Sequence, residues 1–235
     1  MENLTISNIE IEINKKDIKN LHLAVLPPQG RVRVSAPKNM NDEAIRIFLI
    51  TKIGWIKKQQ DKYKSQPRQS EREYVSGESV YLWGKRYRVE VLYSNVRNEI
   101  KINGDRLIFQ VRAASTVEQR TNVLNAWYRE NIKKEIPQLL EKWQKIIGVT
   151  ASDFRVKNMK TRWGTCNVKD KRIWLNLQLA KKYPQCLEYV IVHELVHLLE
   201  KKHNKIFTDY MDKFVPNWRT TKEELNALIL DYMEE

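Results

Sequence analysis

The segment Cys186–Phe207 reads CLEYVIVHELVHLLEKKHNKIF, and its reading decides how the rest of the chain is understood. Of the four histidines in the protein, three fall here, at His193, His197 and His203. Val190, Ile191, Val192, Leu195, Val196, Leu198 and Leu199 surround the first two, the pattern of a helix buried on most sides. Positions i and i+4 of a helix lie one above the other, so His193 and His197 present their imidazoles toward one point. Glu194 sits beside them. This is the H-E-x-x-H arrangement, in which two histidines hold zinc and the glutamate serves as general base toward zinc-bound water. A glutamate inside an apolar run is costly to bury without a compensating partner, and a metal ion supplies one.

A catalytic zinc takes three protein ligands and keeps a fourth position for water. His203 lies six residues past His197, so on an unbroken helix it would point away from the metal. Asn204 is a good N-cap for a second, amphipathic helix carrying Ile206, Phe207, Tyr210, Met211 and Phe214. A turn through residues 200–202 would then swing His203 back toward the first pair. Glu200 competes for the third position, at i+7 from His193 and i+3 from His197. Three ligands in a line along one helix do not readily cap one side of a tetrahedron, so His203 is preferred and Glu200 is cast in a supporting or surface role. The expectation is one zinc ion on His193, His197 and His203, with Glu194 catalytic.

With 235 residues, 42% hydrophobic content and seven tryptophans, the chain can build a substantial core in one large domain or two small ones. Cys166 and Cys186 make no disulfide framework. The N-terminus lacks the basic and apolar regions of a secretory signal, and no apolar run approaches the ~20 residues that span a bilayer. A cytoplasmic protein without membrane contact is expected. The net charge of +13 favours anionic partners such as nucleotides, nucleic acid or acidic protein surfaces. Charge alone supports only non-specific association.

Toward the N-terminus, Ile9–Ile13, Leu21–Val25 and Arg31–Ser35 alternate as strands, the last two joined through Pro27-Pro28-Gln29-Gly30. Asn41 or Asp42 caps a helix to about Ser65, whose far end carries Lys57, Lys58, Lys62, Lys64 and Arg68. Strands follow at Ser79–Trp83, Tyr87–Tyr93, Ile100–Ile102 and Leu107–Val111, with a tight turn at Asn103-Gly104. Ser115-Thr116-Val117-Glu118 reads as a capping box opening a helix that Pro137 kinks or divides and Gly148 stops. Residues 153–177 hold two or three short strands. Thr220 or Thr221 starts a last helix through Met233, expected to pack behind the zinc helix and to be structural. The fold class is therefore α+β, with residues 1–112 a β-rich region bearing one long helix and residues 113–235 the catalytic domain. No internal repeat is visible.

Several pieces together resemble the YgjP-like metallopeptidase family, related to the SprT-like zincins. Arg31-Val32-Arg33-Val34-Ser35-Ala36-Pro37 and Trp55-Ile56 look like its N-terminal strand and helix. Arg162-Trp163-Gly164-Thr165-Cys166 looks like its Arg-Trp-Gly-Ser-Cys element, with Thr165 for the usual Ser. His193-Glu194-Leu195-Val196-His197 and His203-Asn204-Lys205-Ile206-Phe207 are similar to its H-E-L-x-H and H-S-x-x-F elements, Asn204 replacing Ser. The resemblance implies a zincin-like C-terminal domain with a short sheet beside the active-site helix, zinc on the three histidines and Glu194 as base.

The leading expectation is zinc-dependent hydrolysis of peptide or protein substrates. An extended peptide would add to the strand before the zinc helix, past Arg162, Trp163, Gly164 and Thr165, with Arg162 or Tyr210 stabilising the oxyanion. Two alternatives keep the metal. A nucleotide phosphoanhydride hydrolase would use Lys157, Lys160 and Arg162 as phosphate contacts. A nucleic-acid-associated protein would carry a structural zinc closed by a fourth ligand such as Cys166.

Overall fold

The computed structural model describes residues 2–26, 29–65, 72–159 and 161–227. The expected turn at Pro27-Pro28, the basic residue Arg68, the phosphate contact Lys160 and the last helix beyond Ala227 lie outside the described residues, as do the side chains of Lys62 and Lys64. The architecture is α+β, and the chain forms two compact units that divide after Arg68. This differs from the division expected near residue 112. The strands of residues 79–111 bury Val80, Val89, Leu107 and Phe109 in the same hydrophobic cluster as the helices that follow, so they belong to the second unit.

The first unit holds β1 (Glu2–Ile6), β2 (Ile9–Lys16), β3 (His22–Leu26), β4 (Arg31–Pro37) and α1 (Asp42–Ser65). The sheet order is β1-β2-β4-β3, with β2 and β4 parallel and the outer pairs antiparallel. Strand alternation puts Ile9, Ile11 and Ile13 of β2 and Val32, Val34 and Ala36 of β4 on one face, where they meet Ile45, Leu49 and Ile56 of α1.

The second unit begins with the same plan. β5 (Ser79–Leu82), β6 (Lys85–Tyr93), β7 (Glu99–Asn103) and β8 (Arg106–Val111) form a sheet in the order β5-β6-β8-β7, with β6 and β8 parallel, and a long helix, α2 (Val117–Ile147), follows. Tyr87 and Val89 of β6 and Leu107, Phe109 and Val111 of β8 point inward as their counterparts do in the first unit. Even the first hairpin turns correspond: Ser7-Asn8 and Trp83-Gly84 both take positive φ at the two central positions. The chain thus contains a structural repeat of four strands and a helix. Only the alternation recurs in the sequence, which is why no repeat is visible there. At Gly84 a Cβ would sit 2.3 Å from the Tyr183 ring, so this turn docks directly against the start of the histidine helix.

α2 runs unbroken through Pro137 and ends at Gly148, whose φ of 79° closes it. Its N-cap is Thr116, with Gln119 completing the capping box, one residue later than expected. Leu124, Tyr128, Ile132, Ile136, Leu140 and Trp143 line its buried face. The helix α3 (Pro184–Val196) lies against it, and the indole of Trp143 and the ammonium of Lys142 both donate to the Glu188 carboxylate, at 2.8 and 2.7 Å. α3 also packs against a small sheet of β9 (Asp153–Lys157), β10 (Gly164–Asn167) and β11 (Arg172–Asn176). Its order, β10-β11-β9, leaves β10 at the edge. α4 (Lys205–Phe214) and α5 (Trp218–Ala227) complete the unit, contributing Phe207, Met211, Trp218 and Leu225 to its core. Among the described residues no helix is long and apolar enough to cross a membrane.

Candidate metal centre

α3 starts on Pro184, which needs no backbone donor at the first position, and carries an apolar surface almost all round. It ends at His197, where Leu198, Leu199 and Glu200 tighten into successive turns on the carbonyls of Leu195 and Val196. The imidazole of His197 closes this turn: its Nδ1 lies 3.1 Å from the Glu200 carbonyl oxygen. A carbonyl only accepts, so Nδ1 carries the proton and Nε2 presents a lone pair. Asn204 then caps α4, its side chain accepting from Phe207 N at 3.1 Å, and the reversal turns His203 back.

The result is three imidazoles around one point. The ligating nitrogens of His193, His197 and His203 all lie within 4.8 Å of one another, and Nε2 of His193 is 2.9 Å from Nε2 of His203. Nitrogens bound tetrahedrally at about 2.0–2.1 Å from one ion are spaced about 3.3 Å apart, so this convergence fits a zinc-sized cation. The buried ring of Phe207 lies 4.9, 4.8 and 4.7 Å from the three imidazoles and forms the floor that holds them. Burial, followed by His197, His203 and Lys222, pushes the pKa of His193 down to about 3, which keeps the ring neutral and available as a ligand. Burial likewise lowers His197 and His203.

Glu200 supports the centre through its main chain. Its carboxylate turns away to accept from Lys202 N at 2.9 Å. Glu200→Gln is therefore expected to bind metal as tightly as the native chain, measured by chelator competition; a tenfold or greater loss would bring the carboxylate into the centre. Cys166 is half-buried in the neighbouring cavity but does not belong to the group of side chains able to share one ion.

Glu194 is 4% exposed, and its Oε2 is buried without a hydrogen-bond partner among the described residues. Burial pushes its pKa up to about 8 against the opposing pull of Arg162. Above it runs β10. A Cβ on Gly164 would lie 2.5 Å from Glu194 Oε1 and 2.8 Å from Val190 Cγ1, so only glycine lets the strand approach the carboxylate this closely. Gly164→Ala must displace Glu194. A misplacement of about 1 Å can cost ~10²-fold in rate, so kcat is expected to fall by about that factor with metal content unchanged, by paired turnover and metal assays.

A cavity of about 450 Å³ opens between these parts. Arg162, Trp163, Gly164 and Thr165 line it, as expected. Tyr210 does not: it stacks on Phe214, four residues along the same face of α4, with ring centroids 6.1 Å apart. Besides Val168 and Lys201, three contributions were not foreseen. Tyr189 and Val190 come from the turn of α3 preceding His193, and Lys222 and Leu225 from α5, which was expected to be structural only. Asn176 is the third. Fully buried, it donates to the carbonyls of Met159 and Arg162 at 2.8 and 2.7 Å and so pins the loop carrying Arg162. A lone asparagine in the apolar run Ile173-Trp174-Leu175-Asn176-Leu177 was the available signal.

A family profile described as the YgjP-like metallopeptidase domain matches residues 19–228. Among solved structures, the chain is similar to the metallopeptidase zymogen abylysin of Pyrococcus abyssi, at 20% identity over 42% of this chain and 99% of that one, with a TM-score of 0.38. It is also similar to the zymogen jannalysin of Methanocaldococcus jannaschii, at 19% identity over 39% of this chain and 94% of the other, with a TM-score of 0.36. No curated protein matches significantly.

Proposed function

The chain belongs to the YgjP-like metallopeptidase family, and on that premise we propose that it is a zinc-dependent peptidase whose metal is held by His193, His197 and His203 and whose base is Glu194. The observation that carries this reading is the convergence of three neutral imidazoles beside a buried carboxylate under an edge strand. Imidazole nitrogens in a three-ligand set suit zinc. When bound, such an ion supplies a Lewis acid that polarises a carbonyl and acidifies water.

The chain's own residues do the rest. Glu194 takes a proton from the attacking water and returns it to the leaving amine. The outer edge of β10 offers main-chain groups to an extended peptide, which Gly164 lets lie close over Glu194. Arg162 remains the candidate donor to the oxyanion, and Tyr210 is set aside by its position. Trp163 and Thr165, on the same stretch, contact the substrate chain. Two free thiols, Cys166 and the buried Cys186, suit a reducing, cytoplasmic setting.

The test is hydrolysis of an unfolded protein and of nucleoside triphosphates side by side, with chelated and zinc-restored enzyme. Cleavage of the protein alone, lost on chelation and regained with zinc, is the expected result. Hydrolysis of the triphosphates with the protein left intact would overturn it.

A further inference from the structure

We propose that the cleft selects peptides bearing acidic side chains around the scissile bond, received by Arg162, Lys201 and Lys222. The inference rests on the peptidase reading above and adds the charge of the substrate. The three cations come from different elements, namely the loop before β10, the turn after α3, and α5, yet all line the one cavity beside the histidines. Among the described residues, none of the three side chains has a carboxylate within ion-pair distance. The contrast within α5 is direct. Arg219 is paired with Asp212, whereas Lys222, three residues on, lies 5.5 Å over the Trp218 ring and reaches the cavity without an anion.

Among the described residues the cavity wall contains a single carboxylate, that of Glu194, which is buried and committed to proton transfer. Three neutral imidazoles would offset none of a divalent ion's charge. Cations left uncompensated in a concave site focus a positive potential that draws anions and repels basic segments. The cations sit on separate walls of the cavity: Arg162 on the loop leading into Gly164, which lies over Glu194, Lys201 in the turn between His197 and His203, and Lys222 on α5. A bound chain crossing the centre would therefore meet positive charge from more than one wall of the cavity.

The test uses the full chain and three fluorogenic peptides, identical except for Glu, Ala or Lys flanking the cleavage site. The expected order of kcat/KM is Glu over Ala over Lys, with about tenfold to a hundredfold between the extremes, narrowing at high salt. Lys201→Glu/Lys222→Glu should reverse the order, and Lys222→Gln, which keeps length and removes charge, should compress it. In parallel, fluorescence anisotropy on the Glu194→Gln protein measures binding of the Glu-flanked peptide and of a single-stranded oligonucleotide of equal charge. Equal kcat/KM for all three peptides overturns the proposal. So does tighter binding of the oligonucleotide that the same charge reversals abolish. If no peptide is cleaved but the Glu-flanked peptide binds in a Lys222-dependent way, the peptidase reading falls and the charge selection stands.

Discussion

Replacing Glu194 by glutamine is expected to lower kcat on an unfolded protein by about 10²–10⁴-fold while leaving metal content and KM within a factor of two or so. The amide keeps the shape of the side chain and its packing against Gly164, where a Cβ would already be too close. It removes the one carboxylate that the described residues bring to the cavity wall, the group placed to accept a proton from water and give it back. The metal is unaffected because Glu194 is not among the side chains able to share the ion. The melting temperature should change little, since the buried amide has the size and shape of the carboxyl it replaces. Stopped assays of turnover with metal analysis on the same samples decide it. Turnover near the native rate would remove Glu194 from the chemistry.

The second large effect is expected at His203. His203→Ala should weaken zinc binding by more than about a hundredfold, because even partners one shell removed from a metal cost 10–100-fold. His203 is exposed, and its imidazole reaches inward to stand 2.9 Å from His193 Nε2 and 4.7 Å from the Phe207 ring. Trimming an exposed side chain typically changes stability by less than about 0.5 kcal/mol, so the metal-free variant should melt close to the metal-free native chain. Competition with a chromophoric chelator reads the affinity and a thermal melt the fold. Unchanged affinity would move the third ligand elsewhere; a collapsed fold would mean the residue holds structure rather than metal.

The convergence of the histidines was legible because it depends on local spacing. His193 and His197 are one helical turn apart, and a capping asparagine at Asn204 marks where the chain must reverse. The capping of α2 was legible only to within one residue. Ser115 with Glu118 and Thr116 with Gln119 satisfy the same pattern, and the choice is made by Arg120, which takes Ser115 Oγ at 3.1 Å and leaves Thr116 to cap. The unit boundary was hidden for a different reason. The change of composition near residue 112 marks where sheet gives way to helix inside one core, while the division of the units falls in residues 66–71, beyond the described stretch. The repeated strand plan was hidden because alternation fixes which face is buried without requiring the same residues. Lys222 could not be placed by pattern at all. That the last helix packs on α3 was expected, but no local pattern says which of its side chains reaches the cavity, so the ammonium of Lys222 enters the site only through tertiary packing.

The most direct measurement of the central claim is X-ray absorption at the zinc edge on the purified native chain, loaded with one equivalent of zinc. Three imidazole nitrogens and one light oxygen at about 2.0–2.1 Å are the result expected of a centre built from His193, His197 and His203 with one position left for water. A sulfur neighbour at about 2.3 Å would place Cys166 on the metal and make the site a closed, structural one.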